Sequence, residues 1–239
     1  MKMGFRTLSL LGLHLLSTSA LQIANIGSSY AAGPGIPSNP GNYAHILASR
    51  LNASLADIAV SGSTLSGIAP QIAKIPTTSD IVLITSGGND LNYVGSLSMD
   101  SNASNLSETQ LADRYANVLS KINARAPKAT IYVAEYLTIL GPDAQAGAAT
   151  FSASRLKYHQ GTFDTLEKAT AAAAAKSKAF AVLVPVSKAS EGHGLGSSVP
   201  WANGRSVPAG AGGVAWHPNT AGMKAVAEMI YGKVKERSS

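Results

Sequence analysis

Five short apolar runs, each bounded by turn-forming residues, constrain this chain most: Gln22 to Ile26, Ala56 to Val60, Asp80 to Thr85, Thr130 to Tyr136 and Phe180 to Pro185. They are continuous rather than alternating, which marks strands covered on both faces. Helical patterns lie between most of them. Asn42 is placed to cap a helix with Tyr43, Ile46, Leu47 and Leu51 on one face, and Ser107 with Gln110 forms a capping box ahead of Leu111, Tyr115, Val118, Leu119 and Ile122. A third helix is expected from about Ala153 through the alanine run at 171 to 175 to Lys178, and a last one from Thr220 through Val226, Ile230 and Val234. Alternating strands and helices predict a single α/β domain with a parallel sheet, right-handed crossovers and helices on both faces.

In such sheets ligands bind at the carboxyl ends of the strands. That rule selects the loops starting at Gly27, Ser61, Ser86, Leu137 and Val186. Ser29 follows the first strand in a glycine-flanked turn, Gly62 follows the second, Asn89 follows the third, and His217 precedes the last helix. Each alone has a plain structural explanation as a turn residue, an Asx turn or a packed histidine. Together, at one edge of one sheet, their types match a nucleophile, a base and donors for an oxyanion. The long stretch from Val186 to His217 is rich in Gly, Ser and Pro, and a loop of that length in a compact domain is a functional candidate.

Composition narrows the classes. The chain has no cysteine, which excludes disulfides, thiolate catalysis and Cys-ligated metal. The histidines show no H-x-x-x-H spacing and the carboxylates no ligand clusters, so neither metal nor cofactor is expected. The net charge of +6 is spread over scattered residues without basic-aromatic interleaving, so no nucleic-acid partner is expected. Lys2 and Arg6 precede the apolar stretch Leu8 to Leu16, and the small residues S-T-S-A follow, ending at Ala20. This has the form of a secretory signal over residues 1–20, too short to span a bilayer, with the folded domain over 21–239. A secreted monomer without a stable membrane anchor is the expectation, and three N-x-S sequons at Asn52, Asn102 and Asn105 are compatible with it.

The segments I-G-S-S-Y-A-A-G, S-G-S-T, S-G-G-N-D and W-H-P-N-T-A-G-M, in this order, resemble the consecutive blocks of the SGNH (GDSL-type) hydrolases. The resemblance spans nearly all of residues 21–239. It implies a three-layer α/β/α sandwich with a five-stranded parallel sheet of flavodoxin-like type, and ester hydrolysis through an acyl-serine. Position by position, it implies Ser29 as nucleophile, His217 as base and then acid, and an oxyanion hole from Ser29, Gly62 and Asn89. The G-S-S-Y-A frame is not the G-x-S-x-G elbow of the α/β hydrolases.

Two positions depart from the family pattern. Ser28 stands where the family commonly has Asp, and Val214 stands three residues before His217, where a triad carboxylate is common. For the second, three readings are open: a backbone carbonyl of Val214 or a neighbour holds His217, Glu191 or another acid reaches it from the long loop, or the chain binds without turning over. His193, Trp201 and Trp216 are either pocket residues or loop closures, and Asp90 is read as a loop brace. The leading expectation is a secreted serine esterase acting on a small-molecule or glycan ester. The alternatives are a carbohydrate- or lipid-binding scaffold that has lost turnover, and an acyltransferase.

Overall fold

The computed structural model describes residues 20–141, 144 and 151–238. The leader-like segment ahead of Ala20 lies outside the described residues. Five parallel strands form one sheet: β1 (Gln22–Gly27), β2 (Ser54–Asp57), β3 (Ile81–Thr85), β4 (Thr130–Ala134) and β5 (Ala181–Val184), in the order β2-β1-β3-β4-β5. This is the flavodoxin-like order, and its switch point falls between β1 and β3. All five residues of β3 are buried, as are all but the first of β1.

The second strand is shifted from its expected span. It pairs with β1 from Gln22↔Ser54 to Asn25↔Asp57, two residues ahead of the apolar run. An edge strand needs no continuous apolarity, and β2 is exposed or half-buried throughout. The run itself continues beside β1 through single bonds, from Ile58 N–H to the Asn25 carbonyl (2.8 Å) and from Val60 N–H to that of Gly27 (3.1 Å).

The long helices start where their caps predict. Asn42 Oδ1 accepts from Ala44 and His45 N–H at the start of α2 (Tyr43–Leu51). Ser107 and Gln110 close a reciprocal capping box, with bonds of 3.2 and 3.0 Å, ahead of α5 (Glu108–Arg125). Such a box satisfies two otherwise orphaned backbone donors. Shorter helices escape periodicity: α1 (Ser29–Ala32), α3 (Ala69–Lys74), α4 (Tyr93–Met99) and, past α6 (Ala153–Lys176), α7 (Val186–Ser190). The last helix, α8 (Thr220–Ser238), packs on α2, while α5 packs on α6 and contacts α3. Helices therefore cover both faces of the sheet, and only its strand-end edge is left to loops.

Candidate active site

The nucleophile candidate takes its place from the central strands. β1 ends at Gly27, whose φ is +130° and where a Cβ would stand 2.2 Å from the Thr85 carbonyl oxygen. Only glycine lets β1 run that close to β3. Ser28 is buried; its N–H donates to the Thr85 carbonyl at 2.9 Å and its Oγ lies 2.7 Å from the Tyr136 hydroxyl. The same hydroxyl accepts from Gly88 N–H at 3.2 Å. Ser28, in the place of the common Asp, thus ties the turn to β3 and to the residue ahead of Asn89. Ser29 follows as the first residue of α1, 8% exposed.

His217 reaches Ser29 from the other end of the chain. Its Nε2 is 2.8 Å from Ser29 Oγ, and its Nδ1 is 2.7 Å from the Ala215 carbonyl oxygen. A carbonyl can only accept, so in the neutral ring Nδ1 carries the hydrogen and Nε2 is free to accept the serine proton. Burial pushes the imidazole pKa below its ordinary value, and the bond to Ala215 only partly opposes this. That shift favours the neutral ring.

A histidine bonds the carbonyl two residues back only if the chain doubles over between them. Trp216 supplies that turn with φ of +60°, a left-handed conformation that costs a bulky residue roughly 1–2 kcal/mol. Its surroundings hold it there. The Trp216 side chain is 1% exposed and its ring stacks on Phe151, with centroids 5.7 Å apart. The Trp216 N–H donates to the Gly204 carbonyl at 3.1 Å, and its own carbonyl accepts from the Tyr30 hydroxyl at 2.9 Å. Tyr30 directly follows Ser29, and its ring lies 5.3 Å from the imidazole by centroids. The turn that carries Ser29 thus grips the loop that carries His217.

The three positions expected to form an oxyanion hole are joined through Ser63 and Gly27. Gly62 sits in the turn after β2 with φ of +84° and open space where a Cβ would be. The next residue, Ser63, donates from Oγ to the Gly27 carbonyl at 2.8 Å and accepts at its own carbonyl from Asn89 Nδ2 at 2.9 Å. That bond uses one of two amide hydrogens on Asn89 and leaves the other for a ligand. Gln71, only 4% exposed, completes the bracing. Its Oε1 accepts from Gly27 N–H at 2.8 Å, while its Nε2 donates to the Gly27 carbonyl at 3.1 Å and to Ser63 Oγ at 3.0 Å.

A second set of bonds holds the far end of α1. Asn25 Nδ2 donates to the Ala31 carbonyl and Asn42 Nδ2 to that of Ala32, and both amides also donate to the Asp57 carboxylate at 2.8 Å. Gln71, Ser63, Tyr136 and Tyr30 carry no sequence signal for these roles, because each acts through a bond to backbone distant along the chain, and Asn25 acts through the Ala31 carbonyl and the Asp57 carboxylate. Only the adjacency of Tyr30 to Ser29 was available as a hint.

Other residues singled out in the sequence fall elsewhere. Glu191 pairs with Lys188 at 3.1 Å, and His217 Nδ1 is already taken by Ala215. His193 donates from Nδ1 to the Val199 carbonyl at 2.8 Å, and its ring stacks on Trp201 at 3.8 Å, closing the loop on itself. Asp90 accepts from Leu65 N–H at 2.8 Å and faces Arg114 at 3.6 Å, which is a bracing role; burial raises its pKa. Among the described residues no cluster of three His, Cys, Asp or Glu side chains is placed to hold a metal ion.

Known proteins share this arrangement at the level of sequence family and fold. The profile described as "GDSL-like Lipase/Acylhydrolase family" matches residues 26–225. Lipase 2 of Streptomyces coelicolor is 32% identical over an alignment covering 31% of this chain and 31% of that protein. The similarity thus spans about a third of that relative's length. The crystal structure of phospholipase A1 from Streptomyces albidoflavus NA297 superposes with a TM-score of 0.67 at 22% identity, over 91% of this chain and 100% of that one. The extracellular lipase of Streptomyces rimosus gives 0.65 at 22% identity, over 87% and 99%.

Proposed function

The chain belongs to the GDSL-like lipase/acylhydrolase family, and from that premise we propose that it is a secreted serine esterase cleaving carboxylic esters through an acyl intermediate on Ser29. One observation carries the reading: Ser29 Oγ stands 2.8 Å from an imidazole nitrogen whose partner nitrogen is bound to a carbonyl. That bond selects the tautomer in which the facing nitrogen is a base.

In this mechanism the Ser29 hydroxyl proton passes to His217 Nε2 as Oγ bonds the ester carbonyl carbon. The carbonyl oxygen becomes an oxyanion, met by N–H groups of Ser29 and Gly62 and by the Asn89 amide. Collapse of this tetrahedral species expels the alkoxide, which takes the proton from His217. Water, deprotonated by His217 in turn, attacks the acyl-serine, and collapse of the second tetrahedral species releases the acid and expels Ser29 Oγ, which regains its proton from His217. Loss of the aspartate function in serine-protease triads lowers turnover roughly 10⁴-fold, largely through the wrong tautomer. The Ala215 carbonyl supports the correct tautomer without a carboxylate, and forgoes only the charge stabilisation of the imidazolium.

Secretion is part of the proposal and rests on the leader-like segment. The similar Streptomyces rimosus lipase is described as extracellular, and no helix among the described residues is long and apolar enough to cross a membrane. The test combines a fluorophosphonate probe with turnover of short-chain aryl esters. Ser29→Ala is expected to abolish labelling and to lower turnover by at least about 10⁴-fold. Undiminished turnover in that variant sinks the assignment. An unlabelled parent protein would mean a binding scaffold, and faster transfer to an added alcohol than to water would mean an acyltransferase.

A further inference from the structure

Behind the loop that carries His217 lies a cavity of about 540 Å³, within the size range of small-molecule sites. Leu195, Pro200, Ala202, Pro208 and Ala211 give it an apolar wall, and Arg205 is the charged residue on its lining. Val199 and Val207, beside Pro200 and Pro208, are 53% and 41% exposed, two of the few large apolar side chains that the described surface leaves open. Arg205 has no ion pair among the described residues, whereas Arg50, Arg114 and Arg155 each have one.

An unpaired guanidinium on a partly open cavity whose lining is largely apolar, and whose Asn203 and Asn219 amides donate to loop carbonyls, selects a ligand with two unlike ends. An acyl chain suits the wall, which buries it from water without asking for hydrogen bonds. A carboxylate or phosphate suits the planar fork of Arg205. We propose that this cavity binds an anionic amphiphile, an acyl chain ending in a carboxylate or phosphate, with Arg205 on its charged end. The ligand would lie against the backbone that positions the base. Ala202 is bridged to Pro218, and Asn203 N–H donates to the His217 carbonyl at 2.9 Å.

The inference goes beyond the esterase reading and is tested without it. The full chain carrying Ser29→Ala is titrated calorimetrically with decanoate and decyl phosphate below their critical micelle concentrations and with decanol below its solubility limit. At least one anion is expected to bind saturably at one site. The tighter anion identifies the source, decanoate pointing to the acid released by ester cleavage and decyl phosphate to a lipid headgroup. Arg205→Gln is expected to weaken the anion at least tenfold and leave decanol unchanged, and Ala211→Trp, which fills the cavity, to weaken all three. No saturable binding of either anion overturns the proposal, as does equal binding by Arg205→Gln. Arg205 is exposed, so its variant is expected to melt like the parent and keeps the test decisive if Ala211→Trp fails to fold.

Discussion

Ser29 stands at the end of a central strand whose last peptide groups are also held by side chains from elsewhere, whereas His217 stands at the end of a long loop held mainly by backbone and by its own Asn203 and Asn219 amides. Gln71 bonds both the N–H and the carbonyl of Gly27, and Tyr136 bonds Ser28. Around His217, the partners are the carbonyls of Val214, Ala215 and Gly204 and the N–H of Asn203. Side-chain identity therefore matters on the first side, and the path of the chain matters on the second. A histidine oriented by chain path has no need of a carboxylate at position 214. Besides the Ser29–His217 bond itself, the side chain of Tyr30 ties the two regions together.

Substitutions can break this contrast, beginning on the nucleophile side. Gln71→Leu takes from the buried Gly27 N–H its side-chain acceptor, at about 1–3 kcal/mol, while the Gly27 carbonyl and Ser63 Oγ lose one donor but keep their bond to each other. It also frees the turn that sets Ser29 against Gly62. A loss of about 100-fold in kcat/KM is expected, with a lower melting temperature; unchanged kinetics would show that the sheet alone positions Ser29. Tyr30→Phe removes only the bond to the Trp216 carbonyl. Stability is expected to fall by about 1 kcal/mol, and kcat by roughly tenfold for one misoriented base, with KM unchanged. Parallel changes in KM would place the effect in substrate binding instead.

The pH profile sharpens the base side. His217 must be neutral to accept the Ser29 proton, and burial lowers its pKa. We therefore expect kcat/KM to climb with pH through an inflection below the ordinary histidine value of about 6.5 and then to level off. An inflection above that value would reveal a carboxylate partner in solution. The smallest effects belong to Val214→Asp and Glu191→Ala, each expected to change kcat by less than about threefold, since Nδ1 is already bound. A thousandfold loss in the second would identify Glu191 as a third member.

The same contrast explains what was legible in the sequence. Buried strands advertise themselves as apolar runs, so β1, β3 and β4 were readable, and the strand-end rule then gathered Ser29, Gly62, Asn89 and His217. The capping residues Asn42 and Ser107 fixed two helix starts because capping is local chemistry. β2 was misplaced by two residues because an edge strand lacks the double-sided burial that the reading relied on. The support of His217 was open among several partners because a carbonyl belongs to every residue. What selects Ala215 is a left-handed tryptophan, and bulky side chains seldom adopt that conformation. Gln71 was invisible because it pairs with backbone 44 residues away.

The bond from His217 Nδ1 to the Ala215 oxygen also fixes how many protons move. A peptide carbonyl has too little basicity to take a proton, so the hydrogen on Nδ1 stays with the ring throughout. In the proposed reaction any relay ends at the imidazole, and acylation is expected to involve a single transfer, from Ser29 Oγ to Nε2. In mixtures of light and heavy water the acylation rate should then fall in a straight line with deuterium content, where a second mobile proton would bend it.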